Sequence, residues 1–436
     1  MKTIRKPFAT ARRLRRAALL LSSLATLVTL AACSNLLEVQ YPGRIPVEQL
    51  DNPALAAVLA DGVVGDLECA YNNYFSGSAA HSDEFESSSD NGILANAGER
   101  NITADNTDYA DSGCEASSIN TAGDFGLQIP MHTARYQAED IYNRLAKWTD
   151  AQVAGRVGLQ AKVRAYGAYA YTFFGETYCT FAKDGNPPGP PSDALNIAAT
   201  EFADAIRLAQ QANNPSLRYL IDMSHVGLAR VNMNLKKWAE AKTNALLVPP
   251  GFELFASRGT ENDRRWNKMT YLFNQLGAFV ISNPYRQMKA NEPNDPRIGI
   301  EDAGKGAFNP PVRLWIQTKH TGLGQPIRLA SYREAQLILA EAEAELGNVG
   351  AAMAILNARR QGLNLSQLQA GDKATAISRV IDERQRELAF EGGHRLNDLL
   401  RRNIPWKVAG SSNPFTNRPY GATTCWPTPS RELNGK

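Results

Sequence analysis

Apolar residues recur at helical spacing along most of this chain, and the lapses in that spacing divide it. Leu55, Val58, Leu59, Val63 and Leu67 predict a helix over 52–71, capped by Asp51 or Asn52 with Pro53 near its first turn. The spacing lapses from Asn72 to Asp124, a stretch rich in Ser, Asn, Asp and Gly. A loop that long within a domain is usually functional or disordered. Helical spacing resumes over 128–148 and 152–174. In the second segment Leu159, Val163, Tyr166, Ala170 and Phe173 alternate four- and three-residue steps, while Ala165, Gly167 and Ala168 are small enough to admit a neighbouring helix. Gly175 reads as the end of that helix and the Pro-rich 186–191 as a connector.

Three antiparallel hairpins are expected: 160–174 with 194–212, 219–233 with 238–247, and 332–346 with 349–360. Each crosses large apolar residues against small ones, in the manner of tetratricopeptide repeats, although the consensus is degenerate. The plainer reading is antiparallel helices without a true repeat. The expected fold is mostly α, a helical-hairpin scaffold with loop-rich regions near 72–124 and 251–327. The second of these is polar, aromatic and Pro/Gly-rich, which predicts loops with short strands.

The N-terminus changes the picture of the whole. Seven basic residues lie between Lys2 and Arg16, an apolar run extends from Ala17 to Leu30, and Leu30-Ala31-Ala32 leads into Cys33. This is the pattern of a lipoprotein signal, so 1–32 is assigned as a signal peptide, 33–436 as the mature domain and Cys33 as the lipid-attachment site. The run is short for a membrane span, which needs about 20 apolar residues. Ser34 follows the cysteine, where an Asp would favour inner-membrane retention, so the expected location is the outer membrane. The signal carries no acidic residue. Without it the 47 basic residues fall to 40 against 44 acidic ones, and the apparent basic character disappears. Nucleic-acid binding therefore has no electrostatic basis.

With Cys33 assigned to lipid, Cys69, Cys114, Cys179 and Cys425 remain. An even number in an exported chain favours two disulfides over four free thiols. Three pairings are open. Cys69–Cys114 with Cys179–Cys425 is preferred, because the first bridge would close the polar 72–124 stretch at its base. The chain has no Cys-x-x-Cys spacing, and no metal or cofactor is expected.

The C-terminal third carries the sharpest motifs. Ser331-Tyr332-Arg333-Glu334-Ala335 opens a run that passes through Gly347 to Leu356-Asn357-Ala358-Arg359-Arg360. Glu383-Arg384-Gln385-Arg386-Glu387-Leu388-Ala389-Phe390-Glu391-Gly392 follows, then Arg395-Leu396-Asn397-Asp398-Leu399, and finally Cys425-Trp426-Pro427. With Asp295-Pro296-Arg297 ahead of them and the lipoprotein signal, these residues resemble the SusD/RagB family of nutrient-binding outer-membrane lipoproteins. His394 stands where that family usually has an aromatic beside the arginine. From the residues alone, Arg384 with Glu387 and Glu383 with Arg386 are expected to pair along one helix. Asp398 is expected to meet Arg395 or Arg401, and Trp426 to plug the core.

The resemblance implies a surface binder, without catalysis, that captures oligosaccharide or another nutrient over a SusC-like TonB-dependent transporter and closes it like a lid. A surface glycan hydrolase and a helical-repeat adaptor of the cell envelope are the alternatives. No nucleophile elbow, phosphate loop or metal-binding spacing is present, but paired glycosidase carboxylates need no fixed spacing. A sugar site needs an aromatic platform and planar polar groups. Two regions supply both: Tyr74, Asp83 and Phe85 in the first, and Trp266, Asn267 and Tyr271 in the second. Trp266, flanked by charged and polar residues, is the leading contact. Core packing is the competing role for Tyr71, Tyr74 and Phe75.

Overall fold

The computed structural model describes residues 45–90, 92–106, 109, 113–114, 125–309 and 311–433, so the signal segment and Cys33 lie outside the described residues. The chain forms two units, Met1–Asp51 and Asn52–Lys436. The described part of the first holds one 3-10 turn, Val47–Gln49. Everything that follows concerns the second.

Its scaffold is a succession of helices, each packed on the next: α1 (Ala56–His81), α3 (Gln128–Lys147), α4 (Arg156–Thr177), α5 (Pro191–Ala212), α6 (Arg218–Asn234), α7 (Trp238–Leu246), α9 (Tyr332–Glu345), α10 (Val349–Gln361) and α11 (Lys373–Glu387). The pairs α4–α5, α6–α7 and α9–α10 are the three expected hairpins. The short helices α2 (Gly92–Gly98), α8 (Asn283–Asn291) and α12 (His394–Arg401) complete the set used below. Six strands form three two-stranded antiparallel sheets: β1 (Phe85–Ser87) with β3 (Phe279–Ile281), β2 (Glu253–Ala256) with β6 (Ile327–Ser331), and β4 (Ile300–Gly306) with β5 (Arg313–Gln317). Thus 251–327 holds loops and short strands, but it also carries the helix α8. No described helix is long and apolar enough to cross a membrane.

Two expectations about helix ends are corrected. The first helix does not stop at Tyr71 but runs to His81, and every residue from Ala70 to His81 is buried. A helix enclosed on all sides has no polar face, so the amphipathic period vanishes although the helix continues. Gly175 likewise does not end its helix, which reaches Thr177. A Cβ at Gly175 would collide with the Leu195 side chain, so glycine there lets α5 lie against α4.

The core is aromatic at its centre. Tyr74 stacks on Phe173 with centroids 4.3 Å apart, Tyr71 stacks on the same ring at 5.2 Å, and Trp426 meets Tyr74 edge-on at 5.8 Å. Trp426 is fully buried, and its backbone bonds to Thr177 and Cys179 at the end of α4. The C-terminal plug is therefore built into the core. Cys69 pairs with Cys114 and Cys179 with Cys425, with Cα separations of 5.5 and 5.0 Å.

Charged groups lock the helices together between elements rather than along them. Arg384 bonds Asp398 at 2.9 Å, Glu383 receives Arg297 at 2.6 Å and Arg360 at 2.7 Å, and Glu387 takes a bidentate bridge from Arg359 with both contacts at 2.8 Å. The expected pairs Arg384–Glu387 and Glu383–Arg386 do not form, because each side chain finds a better-buried partner on another element. Asp398 does meet Arg401, at 2.6 Å, whereas Arg395 forks onto Asp83 at 2.6 and 2.7 Å. At the centre, Arg230 forks onto Glu176, both contacts 2.6 Å with both side chains enclosed. Glu176 also accepts from Tyr74, Asn234 and Asn397.

Candidate functional site

The loop that follows β2 turns back on α1 and is fixed there by buried polar groups. Glu68 of α1 accepts from the Ser257 backbone at 2.6 Å and from Arg265 at 3.0 Å. Asn72 donates to the Trp266 carbonyl at 2.9 Å and accepts from the Lys268 backbone at 3.1 Å. Lys268, itself buried, donates to Asn73 at 2.6 Å. Beside this loop, burial raises the Asp66 carboxyl to about 6 against the opposing pull of Arg264.

Asn267 is enclosed and works as a bracket. Its amide donates to the Gln325 carbonyl at 3.0 Å and lies 3.4 Å from His320 Nδ1, while its own backbone N–H donates to Leu323 at 2.6 Å. His320 Nε2 lies 3.1 Å from the Phe390 carbonyl, which can only accept, so Nε2 carries the proton and Nδ1 accepts. Burial pushes this imidazole down to about 4, which keeps it neutral.

On either side of this bracket Trp266 and Tyr271 remain partly exposed, their ring centroids 5.3 Å apart and tilted by 49°. Tyr271 sits on a π-helical turn, Thr270–Gln275, closed by a bond from the Leu276 N–H to the Tyr271 carbonyl. Such a turn holds one residue more than the α-helix would and is a frequent feature of functional sites. The outcome is a two-ring aromatic surface anchored by a rigid polar layer.

The first predicted cluster is not brought to this surface. Tyr74 and Phe85 are fully buried: Tyr74 in the central stack and Phe85 against Phe273, Phe390 and β3. Their assignment as contacts rested on a loop that is in fact the second half of α1 and a strand. Asp83 is half-buried and committed to Arg395. Asn267 is a support beneath the rings rather than a contact, because its amide is spent on the protein.

A cavity of about 330 Å³ adjoins the bracket and shares His320 and Gln325 with it. Phe255, Lys319, Arg328, Arg359, Glu387 and Glu391 are among its other lining residues. Sequence reasoning missed these residues. Phe255 sits between Leu254 and Ala256 and gave no local signal, yet it is 43% exposed. Burial raises the Glu391 carboxyl, but Lys319 at 3.1 Å and Arg328 at 2.7 Å prevail and hold it below the usual range. No group of three or more potential metal ligands occurs among the described residues.

Residues 315–423 match the SusD family. Beyond that segment the likeness is one of fold. The fold agrees with that of solved SusD-like proteins. A SusD superfamily protein from Bacteroides vulgatus ATCC 8482 aligns with a TM-score of 0.65 and 16% identity, over 88% of this chain and 97% of that one. One from Bacteroides thetaiotaomicron VPI-5482 aligns with a TM-score of 0.65 and 12% identity, over 88% and 98%. A laminarin-binding SusD-like protein aligns with a TM-score of 0.61 and 15% identity, over 86% and 97%. No curated protein sequence matches the chain. The matched segment runs from β5 past α12 and includes the Arg359–Glu387, Arg384–Asp398 and Arg401–Asp398 bridges. The Trp266–Tyr271 surface lies outside it.

Proposed function

We propose that this protein is a non-catalytic, lipid-anchored saccharide binder of the outer-membrane surface that hands its ligand to a SusC-like TonB-dependent transporter. The observation that carries the reading is the Trp266–Tyr271 ring pair, half-exposed on a braced polar loop of a SusD-like fold. Aromatic faces of this kind receive the apolar faces of sugar rings, and nearby planar polar groups take the hydroxyls. The laminarin-binding relative makes a glycan the first ligand class to test. Binding rather than hydrolysis is favoured because Glu387 and Glu391 beside the site are bridged by guanidinium and ammonium groups. A general acid must instead hold a transferable proton. Anchoring follows from the lipoprotein signal ending at Cys33.

The test is Trp266→Ala, measured by calorimetry against a panel of neutral and acidic oligosaccharides. Affinity should drop markedly while the melting temperature stays within a degree or two, because the ring is not part of the core. Unchanged affinity with a large drop in melting temperature would move the binding surface elsewhere. Release of shorter sugars by the wild type would overturn the non-catalytic reading.

A further inference from the structure

We propose that the cavity beside Asn267 is a carboxylate subsite, and that the saccharide captured at Trp266 and Tyr271 is therefore an acidic one containing uronate residues. The inference rests on the saccharide reading above and adds the charge of the ligand.

The cavity, about 330 Å³, lies at the lower end of the range that encloses small ligands, roughly 300–1,000 Å³. Its charges do not cancel. Behind its wall, Asp295, Glu292 and Glu383 neutralise Arg297, Arg360 and Arg386. On the opposite side Glu391 and Glu253 match Lys319 and Arg328. Glu387 is then left as the one carboxylate against both Arg359 and Arg333. Arg333 is 4.0 Å away and its side chain 45% exposed, so that contact is weak.

Of the two arginines that share Glu387, Arg359 is the one that lines this cavity. Arg359 spends Nε and Nη2 on Glu387, which leaves Nη1 outside the bridge. A guanidinium fork matches a carboxylate in plane and spacing, which a sugar hydroxyl cannot do. Phe255 stands on the same cavity with its ring 43% exposed, and Arg328 lies over that ring at 5.5 Å. An apolar face beside an unspent guanidinium N–H is what a uronate ring presents a use for: one flat face and one carboxylate. The bracket residue Asn267 bonds Gln325 and lies against His320, both of which line this cavity, and it adjoins Trp266 in the chain, so the subsite lies beside the ring pair.

The experiment compares oligogalacturonate and oligomannuronate with their carboxyl-reduced, neutral counterparts, using the full mature chain and calorimetry. The acidic form of at least one should bind about tenfold more tightly than its reduced counterpart, the increment expected of one charge-assisted hydrogen bond. Arg359→Gln should erase that preference and leave affinity for the neutral form unchanged, with a melt confirming the fold. Should that variant not fold, Lys319→Gln, at the other wall, must reduce the preference instead. Equal affinity for acidic and reduced forms would overturn the subsite and leave the saccharide reading standing. Binding to none of the sugars would overturn both. A preference that survives both substitutions, or that a sulfated oligosaccharide satisfies better, would also overturn the carboxylate assignment.

Discussion

Arg230→Met should be among the most destabilising single substitutions in the chain. The guanidinium is 1% exposed and makes two 2.6 Å contacts with Glu176, whose side chain is fully enclosed, together with a 3.0 Å bond to the Gly392 carbonyl. Methionine keeps most of the volume but leaves Glu176 as a buried carboxylate held only by neutral donors. Breaking a buried pair in this way costs about 3–5 kcal/mol. With an unfolding entropy of about 2.1 cal/mol/K per residue, the roughly 385 residues of the folded unit give about 0.8 kcal/mol/K. The melting temperature should then fall by about 4–6 °C, read by calorimetry at pH 7. Pairing the substitution with Glu176→Gln removes the orphaned charge while keeping an acceptor for Tyr74 and Asn397, so the double variant should recover at least half of the loss. A loss below about 1 kcal/mol for Arg230→Met, or strictly additive effects in the double variant, would refute the claim that the pair is coupled through burial.

Glu84 offers a pH-dependent test. Burial raises its carboxyl from 4.5 to about 8, so between those values the folded chain holds a proton that the unfolded chain has released. Its favourable contribution is full below about pH 4.5 and is lost as pH rises through about 8. Glu84→Gln, which still accepts from the Phe390 N–H, should gain stability relative to wild type between pH 5 and 8 in urea titrations, and a constant difference would contradict this. Replacing Cys179 and Cys425 together by Ser should cost about 2–5 kcal/mol in the same assay, since the bridge closes a separation of 246 residues. Cys33→Ser should abolish acyl labelling and shift the protein out of the membrane fraction; unchanged fractionation would remove the lipid assignment.

The order of helices was legible because most of them bury one face. The turn after Asn234 and the helices over 332–345 and 349–361 lie within two residues of where periodicity and small-residue breaks put them. The second half of α1 was not legible. Tyr71, Asn72, Asn73, Tyr74 and Phe75 are all enclosed, and buried asparagines read as loop residues until the carbonyls they satisfy are known. The same blindness misplaced Tyr74 and Phe85 as ligand contacts. The partial exposure of Trp266 was legible from its polar flanks alone, but the support provided by Asn267 depends on Leu323 and Gln325, more than fifty residues away. The charged motifs were visible as composition and not as pairs, because nothing local tells Arg384 that Asp398 lies nearer to hand than Glu387.

Trp426 lies far along the chain from Tyr74, yet its ring touches that residue of the first long helix and its backbone continues the end of α4. The central stack therefore cannot close until residue 426 has been synthesised, however early its other rings are in place. Until then Tyr74 and Tyr178 have no indole between them, and Cys179 has no partner. Assembly of the core must therefore wait for the segment around Trp426. A chain cut before Cys425 should consequently never acquire a sealed interior.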